Sequence, residues 1–146
     1  AASSATGAHD GVRSQLHSCD ASEFEVFAVA SDGSISAWKI GSWSPVPGLQ
    51  LGNGDTALRT LAAGPDGKRV LVAGDDAVLR VYTVSEGGSG KEGRSRAEGY
   101  FKLEAVGCGH AAAILDVVPV PVGVGRGSAA VTVGTDGSIR RWLHTV

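Results

Sequence analysis

The residues with most chemistry to offer fall into a few short constellations, and each must be weighed against what its chemistry requires. Cys108 and His110 stand two positions apart and could begin a metal site. Zinc needs four ligands, and no second pair at ligand spacing accompanies these two, so the metal reading falls short. Gly87-Gly88-Ser89-Gly90-Lys91 has the look of a phosphate loop. That loop needs glycine where Ser85 stands and a hydroxyl residue where Glu92 stands, to cradle phosphate and hold magnesium. Gly123-Val124-Gly125-Arg126-Gly127 lacks the strand–helix setting and the spacing of a dinucleotide site. Ser, His and Asp residues are present, but none forms a nucleophile elbow. The expectation is no catalytic residue, no cofactor and no metal.

The elements that would position such residues are short strands. Three segments repeat one another: Val26–Trp38, Val70–Tyr82 and Ala130–Trp142. Each reads as an apolar strand, a small residue, an Asp-containing turn, a second strand and an aromatic six positions after the Asp. Asp-Gly in two of the turns supplies the positive φ of a tight hairpin. The 22 glycines fall mostly in clusters between runs of Val, Ile, Leu and Ala, which is the punctuation of strands and turns. Pro65-Asp66-Gly67 reads as a turn between the first two strands of the second unit.

Composition sets the outer limits. With 42% hydrophobic and 19% charged residues, the chain is globular. A net charge of −2 leaves no footprint for nucleic acid or an anionic membrane. No apolar run approaches the ~20 residues that span a bilayer, and the N-terminus lacks the regions of a signal peptide. Cys19 and Cys108 read as buried thiols in a reducing compartment, with a disulfide as the open alternative.

This pattern resembles the WD-repeat family, whose signature is a Gly-His pair, a Pro-Asp-Gly-like turn and a small-residue Asp-Gly hairpin ending in Trp. Gly109-His110 to Trp142 matches it best, and the resemblance covers nearly the whole chain. It implies an all-β fold of about three four-stranded antiparallel propeller blades, near residues 8–51, 54–106 and 109–146. The last blade lacks its fourth strand. The polar, Gly-rich stretch 85–99 reads as a flexible insert, with Ser95 between two arginines open to phosphorylation.

The family also implies a hydrogen-bonded set of His, Ser or Thr, Asp and Trp inside each blade. The third blade carries all four, as His110, Thr132, Asp136 and Trp142. The first carries His9, Asp32 and Trp38, with Ala28 at the hydroxyl position. The second keeps Asp76, with Val72 and Tyr82 replacing the hydroxyl and the Trp.

The resemblance places Arg13, Arg59 and Leu115 near the starts of the innermost strands, beside Ser31, Asp75 and Thr135. This rim is the expected partner site, and two arginines would receive an acidic or phosphorylated peptide by bidentate bonds. The competing reading is a pair of solvated surface arginines. The function implied is a non-catalytic protein–protein scaffold of cytoplasm or nucleus. The alternatives are the propeller domain of a larger enzyme, or a purely structural piece. Propellers close with typically 4–8 blades, so three imply an open arc. The absence of any Met fits a piece of a longer ring, with further blades supplied in cis or by a partner.

Overall fold

The computed structural model describes residues 14–22, 25–51, 56–84, 100–121 and 128–144. Runs of β-branched and aliphatic residues, cut by Asp-centred turns, give eleven strands and no helix among these residues. The first sheet comprises β1 (Leu16–Ala21), β2 (Glu25–Ala30), β3 (Ser34–Lys39) and β4 (Pro45–Gln50). The second comprises β5 (Leu58–Ala63), β6 (Arg69–Gly74), β7 (Val78–Val84) and β8 (Phe101–Cys108). The third comprises β9 (Ile114–Val120), β10 (Ser128–Gly134) and β11 (Ile139–His144). Each is an antiparallel meander in chain order, four, four and three strands wide. The stretch 85–99 read as an insert, with Ser95, lies outside the described residues.

One turn chemistry recurs. The carboxylates of Asp32, Asp76 and Asp136 accept the amides of Ser34, Val78 and Ser138 at 2.9, 3.2 and 2.9 Å. The following residue takes positive φ: Gly33 at 80°, Gly137 at 77°, and Ala77 at 62°. Only Ala77 bears the Cβ strain of that conformation. Asp66 repeats the device between β5 and β6 as the sequence predicted.

The register gives the three sheets equivalent positions. Ala30 faces Leu16, Gly74 faces Leu58, and Gly134 faces Ile114. Side chains directly opposite across a sheet share a face, so each sheet has a front and a back. The front of the first presents Phe27, Val29, Ile35 and Ala37 to the back of the second, which presents Val70, Val72 and Tyr82. The front of the second presents Leu71, Ala73, Leu79 and Val81 to the back of the third, which presents Val117, Ala130 and Trp142. Within this front-to-back stack the first strands are neighbours, β1 beside β5 and β5 beside β9. Three polar ties join them. His17 donates from Nδ1 to the Leu58 carbonyl at 2.8 Å, Asp20 accepts the Ala63 amide at 2.9 Å, and Thr60 donates to Asp116 at 3.1 Å.

Two expectations are corrected. Cys19 and Cys108 are both exposed and unpaired, not buried. Cys108 ends β8, and Cys19 lies opposite Ala28 on the back of the first sheet. The first strand of the first sheet begins at Leu16, after the start expected near Arg13; residues 8–13 of the expected first blade lie outside the described ones.

The outer half of the second sheet is tied by charge. Arg69 grips Glu104 with two nitrogens at 2.8 and 3.0 Å, and Thr83 donates to the same carboxylate at 2.8 Å. His144 of β11 lies 3.4 Å from it. Arg69 first, then Thr83, pulls the Glu104 carboxyl down from 4.5 to about 2, against the opposing effect of burial. A depressed folded pKa gives stability that is present above the unfolded value and is lost as pH falls from 4.5 toward about 2. That share is at most ~3 kcal/mol. Denaturant midpoints at several pH values should therefore fall more steeply on acidification for the wild type than for Glu104→Gln. Parallel curves would remove Glu104 as an acid-sensitive tie.

Candidate functional site at the rim and the buried polar set

The four residues expected to act together in the third sheet do come together. His110 follows directly on β8 and returns to the third sheet, where Thr132 lies in the middle of β10, Asp136 in the turn and Trp142 on β11. His110 Nδ1 lies 3.0 Å from Asp136 Oδ2, and Nε2 lies 2.7 Å from Thr132 Oγ1. Trp142 Nε1 is 2.8 Å from that same hydroxyl.

The chemistry of the donors orients the protons. A carboxylate only accepts, so His110 donates from Nδ1 to Asp136. In the neutral ring Nε2 then accepts, and Thr132 must donate to it. The Thr132 oxygen in turn accepts from the indole N–H, which can only donate. The result is one directed chain, Trp142 to Thr132 to His110 to Asp136. Ser138 and the Ala111 amide also donate to Asp136, at 2.7 and 2.9 Å. These bonds, Ser138 first, hold the Asp136 carboxyl well below the usual carboxylate range.

Thr132, His110 and Asp136 stand in the order of a nucleophile, a base and an orienting acid. Thr132 is fully buried and its oxygen already serves both His110 and Trp142, so a substrate carbonyl has no route to it. The set is a structural brace.

Two glycines make the brace sterically possible. A Cβ on Gly107 would fall 2.7 Å from the Trp142 ring, and one on Gly134 would fall 2.6 Å from His110 Nδ1. Trp142 therefore packs against the last strand of the second sheet at Gly107, and His110 fills the space beside Gly134. The first sheet has Ala30 where the third has Gly134.

The other two sheets depart from this set. Asp32 keeps its turn bonds, and Ser34 holds its carboxyl below the ordinary range. Trp38 is partly buried on β3, and His9 lies outside the described residues. Asp76 instead forms an ion pair with Arg80 at 2.6 Å. Ser138 and Arg80 were not anticipated. The Asp-Gly-Ser triplet at 32–34 and 136–138 was the available signal for Ser138; Arg80 had none.

At the rim, Ser31, Asp75 and Thr135 occupy equivalent places. Their amides donate to the carbonyls of Gln15, Ala57 and Ala113 at 2.8, 2.9 and 2.9 Å. Each side chain is also engaged by its own sheet. Ser31 Oγ accepts the Gln15 amide at 2.8 Å, Thr135 Oγ1 donates to the Ala113 carbonyl at 3.3 Å, and Asp75 takes Arg59 at 2.5 and 3.1 Å. Arg59, through its hydrogen bonds, holds the Asp75 carboxyl below its ordinary value. Leu115 is 50% exposed. The register corrects one assignment: the residue of the first sheet that corresponds to Arg59 and Leu115 is His17, whereas Arg13 lies outside the described residues.

A cleft lies at the opposite end of β1 and β5, lined by Asp20, Glu25, Gly64, Asp66 and Lys68 among others. Among the described residues no three His, Cys, Asp or Glu side chains gather as metal ligands. No helix among them is long and apolar enough to cross a membrane.

With this geometry in view, the chain is similar to a solved structure, the crystal structure of the computationally designed Ika4 protein. The TM-score is 0.63 at 19% identity, covering 92% of this chain and 69% of that one. The likeness is one of fold. No protein-family model matches the chain, and no curated protein matches it.

Proposed function

We propose that the chain is an arc of WD-type propeller blades that binds other proteins or peptides at its rim, without catalysis. Two features support the blade reading. The front-to-back stack puts the first strands side by side, and the third sheet assembles the His110–Thr132–Asp136–Trp142 set at hydrogen-bonding distances.

The observation that carries the binding reading is the Arg59–Asp75 pair. Its guanidinium fork already meets a carboxylate with two bonds, on side chains 44% and 40% exposed. An exposed pair of this kind is worth ~0–1 kcal/mol, so an incoming carboxylate or phosphate exchanges with Asp75 at little cost. Leu115 offers apolar surface nearby, and the hydroxyls of Ser31 and Thr135 offer hydrogen bonds. The partner that fits is an acidic or phosphorylated peptide segment. An intracellular location, cytoplasmic or nuclear, belongs to the same reading, and two free exposed thiols support it.

Fluorescence anisotropy with glutamate-rich, phosphoserine and neutral peptides tests this on the wild type, Arg59→Ala, Asp75→Asn and Leu115→Asp. Acidic peptides should bind most tightly to Asp75→Asn, which frees the fork, and most weakly to Arg59→Ala. Binding that is indifferent to all three substitutions overturns the rim as the site.

A further inference from the structure

The cleft at the far ends of β1 and β5 has a volume of about 750 Å³. Asp20, Ala21 and Glu25 line it from the first sheet, and Ala63, Pro65 and Asp66 from the second. Its carboxylates are unevenly satisfied. Asp66 has Arg69 as an ion partner. Asp20 accepts the amides of Ala21 and Ala63 at 2.8 and 2.9 Å, and Glu25 accepts the Ser22 hydroxyl at 3.2 Å. Neither Asp20 nor Glu25 forms an ion pair among the described residues. Lys68 also lines the cleft, on an exposed side chain, and pairs with neither. Glu25 is the more telling of the two, because it is only 6% exposed. A charge taken that far out of water is costly until an opposite charge meets it.

A second buried group stands beside it. Tyr100 precedes β8, whose Phe101 pairs with Val84, and Val84 lines the same cleft. Tyr100 is 5% exposed, and its hydroxyl is buried with no hydrogen-bond partner among the described residues. Burial first, then the neighbouring Glu25 carboxylate, push the pKa of this hydroxyl well above its ordinary value. A buried phenol left without a bond calls for a partner, and its oxygen can accept from a donor placed beside Glu25.

We propose that this cleft receives an arginine side chain from a partner protein. A guanidinium carries five N–H donors and no acceptor, which suits two carboxylates and a phenol oxygen. It is also more weakly hydrated than a lysine ammonium, so it leaves water more readily for a deep carboxylate. Its aliphatic stem lies along Ala21, Ala63 and Val84. The cleft is at the opposite end of β1 and β5 from Arg59 and Asp75, so this proposal rests on neither the rim nor a WD-type assignment.

The test uses the 146-residue chain labelled with nitrogen-15 and blocked glycine–serine pentapeptides with arginine, lysine or uncharged citrulline at the centre. The arginine peptide should shift the amide signals of Ala21, Ala63 and Gly64. It should bind about tenfold more tightly than the citrulline peptide, and more tightly than the lysine one. Glu25→Gln should weaken it about tenfold and Tyr100→Phe about threefold, whereas Asp75→Asn at the rim should leave it unchanged. Without peptide, neither cleft variant should melt below the wild type, since one sheds an unpaired charge and the other an unpaired hydroxyl. Amides that stay unmoved at millimolar arginine peptide, equal binding of the citrulline peptide, or binding indifferent to either cleft substitution overturns the proposal. A lysine peptide that binds as tightly overturns the choice of arginine. So does a lower melting temperature of either variant overturn the site, because the chain would then already supply the missing partner. The rim peptides use other residues, so either proposal can fail without the other.

Discussion

Replacing Thr132 with valine is expected to lower stability by about 2–4 kcal/mol, although the two side chains fill nearly the same space. The loss is entirely polar. Valine removes the acceptor of the Trp142 indole N–H and the donor to His110 Nε2. Both groups are then stranded in the seam between the second and third sheets, where each lost bond costs ~1–3 kcal/mol. Sequence comparison within the molecule sharpens the point. The second sheet carries Val72 in this place and the first carries Ala28, both buried, so the position itself accepts an apolar residue. His110→Ala should likewise destabilise more than Asp76→Ala, since among the described residues Asp76 has its turn amide and the partly exposed Arg80 to lose. Guanidinium denaturation of the four proteins measures this directly. A Thr132→Val midpoint equal to wild type would mean that the seam is held by packing alone.

Phe27→Ala should cost about 3–5 kcal/mol, by a different route. Phe27 is 1% exposed and meets Phe101 edge to face at 6.2 Å, with Tyr82 and Tyr100 packed on the same ring. The cavity left by its loss opens between rigid strands that cannot collapse into it. This seam is built of large rings and branched aliphatics, whereas the one behind it joins branched aliphatics and alanines to an indole on glycine and the polar set. Phe27 and Thr132 sit in separate seams without a shared partner, so the double variant should lose the sum of the two. A marked departure from additivity would show that the seams communicate through the second sheet.

How much of this was legible in the sequence follows from the physics of each feature. Hairpins were legible because local rules govern them. An Asp whose carboxylate caps the amide two residues on, followed by glycine, specifies its own turn, and period-two alternation specifies the strands around it. The four members of the third sheet's polar set were legible through the resemblance, which supplies a pattern that spacing alone does not. The start of β1 was not. From His9 to His17 the chain is mostly polar and carries no alternation, so nothing local distinguishes a strand beginning near Arg13 from one beginning at Leu16. That offset in turn put Arg13 where His17 stands. The resemblance set Arg59 beside Asp75, but Arg69 with Glu104 had no such signal: they meet only because β7 brings β6 and β8 to either side of it. The thiols were misjudged on residue preference, which their exposed places at the end of β8 and on β1 override.

The second sheet has neighbours on both faces, and this sets the order in which the molecule comes apart. Cooperative units stacked in a row share their free energy with adjacent units only. The outer sheets can each open by breaking one seam, while the middle one opens only when both are gone. Amide protons of β6, from Val70 to Ala73, are therefore the last to exchange with deuterium. Those of β11, on an outer edge, are among the first. Such a gradient makes the chain behave as a ladder of partly independent steps, its ends loosening long before its centre yields.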